Sequence, residues 1–337
     1  MKTKTKLKRK PSPTTGWLHS PFIRAFAALL FVLALGALFN AEGTFFKWDT
    51  HRDMLRHISV FAILACGMTL VIIAAGIDLS VGSILGFTAV LFSIFCIHQG
   101  WSPWIAVPIC MLSGAACGAV SGGLVARFKI QPFIATLAMM VFTRGLAKLV
   151  SGGQKISTAV LQPDGNYRYV EVPPIFDSLN SKILNENVAV VTLIFLACIF
   201  VCWIILAKLR WGRYIYAIGG NEEAARLSGI PVTAIKLFAY GLSGLFSAIA
   251  GICQAAQELQ GDPEAGMTYE LTAIAIVVIG GTNLMGGRGG IGLTFIGAMT
   301  IGYLEKILSI NAVGEATRLM LTGAIIIGAV LFQKARR

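Results

Sequence analysis

Ile72-Ile73-Ala74-Ala75-Gly76-Ile77-Asp78-Leu79-Ser80-Val81-Gly82-Ser83 is the stretch on which the fold turns. It sits within forty residues, Ile58 to Ile97, whose one charged side chain is Asp78. A carboxylate at bilayer depth costs about 3 kcal/mol or more, so it persists there only for a reason. The flanking glycines, with Ser80 and Ser83, predict a break in a membrane helix. Broken backbone survives in a bilayer only under protein or beside water. Asp78 is therefore expected either to hold the backbone donors of the break or to line a wet pathway. A tight turn at the membrane face would explain the glycines, but explains Asp78 only if water reaches it.

The rest of the chain agrees with a membrane reading. It is 56% hydrophobic and 13% charged, with a mean hydropathy of +0.75. Soluble domains carry about 25% charged residues, so a soluble globular protein is excluded. The formal charge of +12 does not point to nucleic acid. Lys2, Lys4, Lys6, Lys8, Arg9 and Lys10 cluster just before the first apolar run, which is a topology signal for a cytoplasmic tail. Phe39-Asn40-Ala41-Glu42-Gly43 offers no small-residue cleavage site, so the run before it reads as a span and not as a signal peptide. The cysteines, Cys66, Cys96, Cys110, Cys117, Cys198, Cys202 and Cys253, form no C-x-x-C pair and read as small buried hydrophobes. No metal site and no cofactor is expected.

A span needs about 20 apolar residues. Ten are read: Phe22–Phe39, Ile58–Ala75, Leu79–Ile97, Trp104–Ala126, Phe133–Val150, Val188–Ala207, Leu237–Ala256, Leu271–Ile279 with its neighbours, Ile291–Leu304 and Leu319–Phe332. The fold class is all-α and polytopic, about ten transmembrane helices with breaks, both termini cytoplasmic. Most of the 28 Lys and Arg then fall inside, as the positive-inside rule requires. Asp78, Glu222 and Glu223 are the acids not assigned to the outer side. The expected organisation is a basic tail over 1–21, one transmembrane domain over 22–332 and a short tail over 333–337. The domain carries a periplasmic loop at 151–187 and a cytoplasmic segment at 208–236. The default role of the outer loop is to cap the helices, and docking of a partner is the alternative.

Two small-residue faces read as packing seams: Ser113, Gly114, Gly118 and Gly122, and Ser243, Ser247 and Gly251. An internal echo adds to this. Residues 72–82 align, 205 positions on, with Val277-Val278-Ile279-Gly280-Gly281-Thr282-Asn283-Leu284-Met285-Gly286-Gly287, which sets Asn283 opposite Asp78. Paired Gly-interrupted hydrophobic segments point to a transporter's pathway. In the inner segment, Asn221 is suited to an N-cap, and Glu222 and Glu223 suit the positive helix end. Arg226 suits the negative end, and Gly229 with Pro231 stops the helix. Such an element is either a docking knob or a solvated loop helix.

Three runs carry a family resemblance: Gly67-Met68-Thr69-Leu70-Val71-Ile72 leading to Gly76–Ser83, Ala217-Ile218-Gly219-Gly220-Asn221 with Ala224–Ile230, and Tyr269–Ala275 running to Val278–Thr282 and Met285–Gly289. From about Leu55 to Phe332 the chain resembles the membrane permeases of bacterial ABC importers for monosaccharides, the ribose, xylose, arabinose, galactofuranose and autoinducer-2 group. The resemblance implies a channel-forming subunit in the bacterial inner membrane, paired with a second permease chain, either the same or homologous. It implies a separate ABC ATPase subunit beneath and a periplasmic sugar-binding protein above. It also implies that Asn221, Glu222, Glu223, Ala224, Ala225, Arg226 and Gly229 form the ATPase-coupling helix. Gly76, Asp78, Ser80, Gly281 and Asn283 would flank the translocation pathway.

The chain has no G-x-x-x-x-G-K-[ST] loop, so ATP hydrolysis is expected in a partner and this subunit is not expected to be an enzyme. An ion-coupled transporter using Asp78 is the first alternative, but it would leave the capped helix without a task. A membrane enzyme is the second. His19, His51, His57 and His98 are too scattered for a metal or triad site.

Overall fold

The computed structural model describes residues 20–161, 165–314, 316–321, 323 and 324. Long apolar runs satisfy their backbone internally, and in lipid the helix is the element that does so within one segment. The helices, in order, are α1 (Pro21–Leu38), α2 (Trp48–Ile73), α3 (Val81–Ser93, carried on by a π turn to His98), α4 (Pro103–Arg127) and α5 (Pro132–Ser151). After these come α6 (Pro174–Asn180), α7 (Val190–Ala207), α8 (Arg210–Gly220), α9 (Glu222–Leu227), α10 (Val232–Glu258), α11 (Tyr269–Ile279) and α12 (Ile291–Ile310). Among the described residues, eight of these are long and apolar enough to cross a membrane: α1 to α5, α7, α10 and α12. The protein is an all-α, multi-pass membrane protein.

Most spans fall where the apolar runs predict. α2 begins at Trp48, ten residues before Ile58, and α12 continues past Leu304 to Ile310. The expected span at 319–332 lies mostly outside the described residues, as does nearly all of the basic tail at 1–21 and all of 333–337. The segment 151–187 holds two small antiparallel hairpins, β1 (Ala159–Leu161) with β2 (Tyr167–Tyr169) and β3 (Lys182–Ile183) with β4 (Val188–Ala189). It also holds α6, whose buried Phe176 stacks on Phe92 of α3 at 4.9 Å. The segment thus plugs one end of the bundle.

α2 is apolar on every face because it is the central helix, with every residue from Ile58 to Ile73 buried. It packs against α7, α10, α11 and α12. The α4 seam forms as its spacing predicts. A Cβ at Gly114 would lie 2.5 Å from the Gly244 carbonyl oxygen, and one at Gly118 would lie 2.1 Å from that of Tyr240. The second small-residue face of α10 turns to α2 and α3, with Gly251 against Leu85 and Thr88. α10 is therefore clasped between α4 on one side and α2 and α3 on the other.

α10 also serves as a ruler for depth. It starts at Val232, beside α9, and at 1.5 Å per residue its 27 residues span about 40 Å. Gly76 lies under the Tyr240 hydroxyl, and Ser243 is within reach of Asp78. Asp78 thus sits roughly 16 Å in from the α9 end of α10. The chain leaves α2 near the α9 end, climbs without helix through 74–80, and starts α3 only at mid-depth.

The mirror of this occurs at the end of α10. The segment 259–268 turns back along α3. A Cβ at Gly261 would touch Ala89 and Val90, one at Gly86 would touch Ala265, and one at Gly266 would touch Gly82. From Val90 to Gly82 is about 12 Å of helix, so irregular backbone crosses the part of the bundle away from α9 before α11 begins. α11 has only 11 residues, too few to span a bilayer alone. The run expected to be a helical eighth span is thus part irregular chain and part short helix.

Candidate functional site

Three features on the α9 end of the molecule meet. The first is α9 itself. The Asn221 side chain accepts a hydrogen bond from the Ala224 N–H at 3.0 Å, as an N-cap does. Gly229, at φ +79, closes the helix: the Ile230 N–H donates to the Ala225 carbonyl and the Gly229 N–H to that of Arg226. Glu222 pairs with Arg226 at 2.9 Å and with Lys236 of α10 at 2.5 Å. Lys236 is nearly buried, so this second pair fastens α9 to α10. Ala225 faces inward, while Asn221, Glu223, Ala224, Arg226 and Gly229 are exposed. Leu227 projects with 81% of its surface free.

The second and third features are the two breaks, which the fold brings to α8. A Cβ on Gly219 would lie 1.7 Å from the carbonyl oxygen of Ile73, the last residue of α2. That carbonyl accepts the Gly287 N–H at 2.9 Å. Tyr216 donates its hydroxyl to the Gly289 carbonyl at 3.0 Å, and burial pushes that hydroxyl above its ordinary pKa. A cleft of about 450 Å³ lies between Gly219–Gly220 and the 283–288 loop. Asn283 is at its edge, half-buried. Gly281, at φ +103, neighbours Pro21.

The echo between the two halves proves to be one of mechanism. After α2, Ala75 takes φ +59, the Gly76 N–H donates to the Val71 carbonyl and the Ala75 N–H to that of Ile72. After α11, Gly281 takes the left-handed turn, with Thr282 donating to Val277 and Gly281 to Val278. Both are the paired-bond ending in which a left-handed residue satisfies the last carbonyls of a helix. Asp78 Oδ1 then accepts the Ser80 N–H at 3.0 Å, and Asn283 Oδ1 accepts the Met285 N–H at 3.1 Å. These are the same side-chain turn two residues on. The caps are offset by 206 positions and the turns by 205, so the second break is one residue tighter.

Asp78 is 0% exposed, and Ser80 is buried beside it. Oδ1 also accepts the Ser80 hydroxyl at 2.6 Å. The Ser243 hydroxyl acts on the carboxylate from α10, but neither it nor Asp78 Oδ2 reaches ordinary hydrogen-bond geometry. The geometry supports the first of the two roles open for Asp78, holding the backbone of the break.

The part of the bundle away from α9 holds polar groups on α5 and on the segment before α11. Arg144 of α5 donates from Nη1 to the carbonyls of Pro263 and Ala265, the second at 2.8 Å. Lys148 pairs with Glu264 at 2.6 Å and Lys155 with Asp262 at 2.9 Å; the Asp262 carboxylate holds the Lys155 ammonium above its ordinary pKa. Glu270, the second residue of α11, places a carboxylate oxygen against Gly82, one residue into α3. The available signal was the shortness of the apolar run Leu271–Ile279, preceded by Gly261, Pro263 and Gly266. Among the described residues, no three His, Cys, Asp and Glu are grouped to hold a metal ion.

Comparison with known proteins follows the same outline. Residues 52–330 match the family described as branched-chain amino acid transport system / permease component. A ribose import permease protein of Haemophilus influenzae is 39% identical over 309 residues, 91% of either chain. One from Escherichia coli K12 is 38% identical over 96% of either chain. The L-arabinose transport system permease protein of the same strain is 34% identical, covering 83% of this chain and 82% of its own. No solved structure matches the chain.

Proposed function

This chain belongs to the permease component family of those transport systems, as a permease subunit of a monosaccharide ABC importer, and from that premise we propose how a separate ATPase drives it. The ATPase docks on α9, at the surface around Leu227, Arg226 and Glu223. Its motion reaches the membrane by two rigid links. One is the Glu222–Lys236 pair, which joins α9 to α10 and so to the Asp78 break. The other is Gly219, whose contact with Ile73 and Gly287 joins α8 to both breaks at once. That junction is the observation that carries the reading. A rigid tie of this kind makes two discrete packings, not a soft deformation, the cheap response to a push.

Hydrolysis belongs to the partner chain, and a periplasmic sugar-binding protein delivers cargo to the opposite face, where 151–187 caps the helices. The importer sits in the bacterial inner membrane, with α9 in the cytoplasm and a second permease copy or homologue completing the channel. Gly76, Asp78, Ser80, Gly281 and Asn283 shape the two breaks that switch, with Asp78 and Asn283 holding turns.

The test is substitution at the knob. Glu222→Ala and Arg226→Ala chains are expected to insert in the membrane normally, yet to lose ATPase binding in co-purification and sugar uptake in cells. Normal uptake by both would refute a coupling role for α9.

A further inference from the structure

The segment 259–268 and the head of α11 leave polar groups exposed at a depth where lipid would punish them. Glu264, Met267 and Thr268 are exposed, Met267 by 57%, and Glu270 is half-buried. Their depth is fixed by the contacts of Gly261 with Val90 and of Gly266 with Gly82 along α3. Irregular backbone at that depth is tolerated only where protein or a watery cavity covers it. Protein covers one side here, through α3 and the Arg144 bonds to the Pro263 and Ala265 carbonyls. Nothing in the chain described covers the other. α5, which flanks the segment, is itself mostly unburied, with Lys148 at its polar end.

We infer that the exposed edge of 264–270 is a wall of the water-filled sugar pathway, and that Glu270 and Thr268 contact the hydroxyls of the passing monosaccharide. The chemistry fits a neutral polyol. Glu264 is matched by Lys148 and Glu270 faces Arg144, so the edge carries alternating charge with no net field to trap an ion. A carboxylate accepts sugar hydroxyls in charge-assisted bonds, and the Thr268 hydroxyl both donates and accepts. Lipid and a dry interface with a second copy are the competing faces for this edge, and both would leave the Glu270 carboxylate and the Thr268 hydroxyl, deeper along α3, without water.

The inference rests on the importer reading, and the experiment separates the two. Met267→Cys and, as a lipid-facing control, Leu112→Cys of α4 are made in the full chain, assembled with ATPase and binding protein in proteoliposomes. Both are treated with a charged, membrane-impermeant thiol reagent, with wild-type protein giving the background of its native, largely buried cysteines. Met267→Cys is expected to react at least tenfold faster than wild type, and transported sugar to slow it several-fold. Leu112→Cys is expected to stay at background. In parallel, Glu270→Gln, which keeps an acceptor, is expected to raise the KM for uptake several-fold, and Glu270→Ala to lower uptake more than tenfold while ATP hydrolysis persists. If wild type imports sugar on ATP but Met267→Cys stays at background, or reacts without protection by sugar, this inference is overturned and the importer reading stands. If wild type shows no ATP-driven uptake, the importer reading fails and takes the pathway wall with it.

Discussion

Gly219→Ala is the sharpest perturbation of the coupling junction, because its neighbour supplies the control. A Cβ at Gly219 would lie 1.7 Å from the Ile73 carbonyl oxygen and 2.5 Å from the Gly287 nitrogen. Both are backbone atoms, so no side chain can rotate away. Relief requires α8 to back off from α2 by more than an ångström. Overpacking of this kind costs about 1–3 kcal/mol. The added methyl group also crowds both ends of the 2.9 Å bond from Gly287 to Ile73, whose loss adds about 1 kcal/mol. The expected loss is thus roughly 2–4 kcal/mol, concentrated at the contact between α8 and the breaks. A Cβ at Gly220 meets nothing within 4 Å, so Gly220→Ala carries the same change in helix propensity without the clash. The assay is ATP hydrolysis and sugar uptake measured on the same proteoliposomes, with thermal unfolding of the detergent-purified complex alongside. Gly219→Ala should lower uptake about tenfold or more per ATP hydrolysed and reduce the unfolding temperature, with Gly220→Ala near wild type in both. Equal behaviour of the two variants would refute the claim that α8 transmits motion through Ile73 and Gly287.

Asp78→Asn keeps the acceptor that holds Ser80 and should support uptake within a few-fold of wild type, whereas Asp78→Leu removes two buried hydrogen bonds and should cost about 3 kcal/mol in thermal unfolding; near-equal stability of the two would contradict the turn-holding role. Asn221→Ala deletes the N-cap of α9, at about 1 kcal/mol, and should weaken ATPase binding several-fold by titration, with Asn221→Asp close to wild type. Arg144→Ala leaves the Pro263 and Ala265 carbonyls without the guanidinium, at about 1–3 kcal/mol for each group left unpaired. Limited proteolysis of that variant should open at 259–268 before any other site, and an unchanged cleavage pattern would count against the staple.

Much of this was legible in the chain, for reasons that differ by element. The long spans were readable because apolar length is a direct consequence of bilayer thickness. α9 was readable because Asn221, Glu222, Arg226 and Gly229 satisfy helix ends locally, and the cap bonds formed as their chemistry predicts. The α4 seam was readable from glycine spacing alone. What escaped were arrangements made by tertiary contact. Nothing local in Gly219 says that it abuts Ile73, 146 residues earlier. The descent of 259–268 escaped because its Asp, Glu and Pro residues carry the composition of a surface loop, and only Arg144, more than a hundred residues away, explains how such a segment lies within the bundle. The depth of Asp78 escaped likewise, since it is set by Tyr240 and Ser243 on α10.

The central claim is that this chain moves a monosaccharide on a partner's ATP. The most direct test is uptake of a panel of radiolabelled monosaccharides into proteoliposomes holding this chain, with ATPase, binding protein and internal ATP supplied or withheld one at a time, and with proton and sodium gradients imposed or collapsed. The account predicts uptake that needs all three components and survives collapse of both gradients. Uptake driven by an ion gradient through this chain alone, with no dependence on ATP, would contradict it.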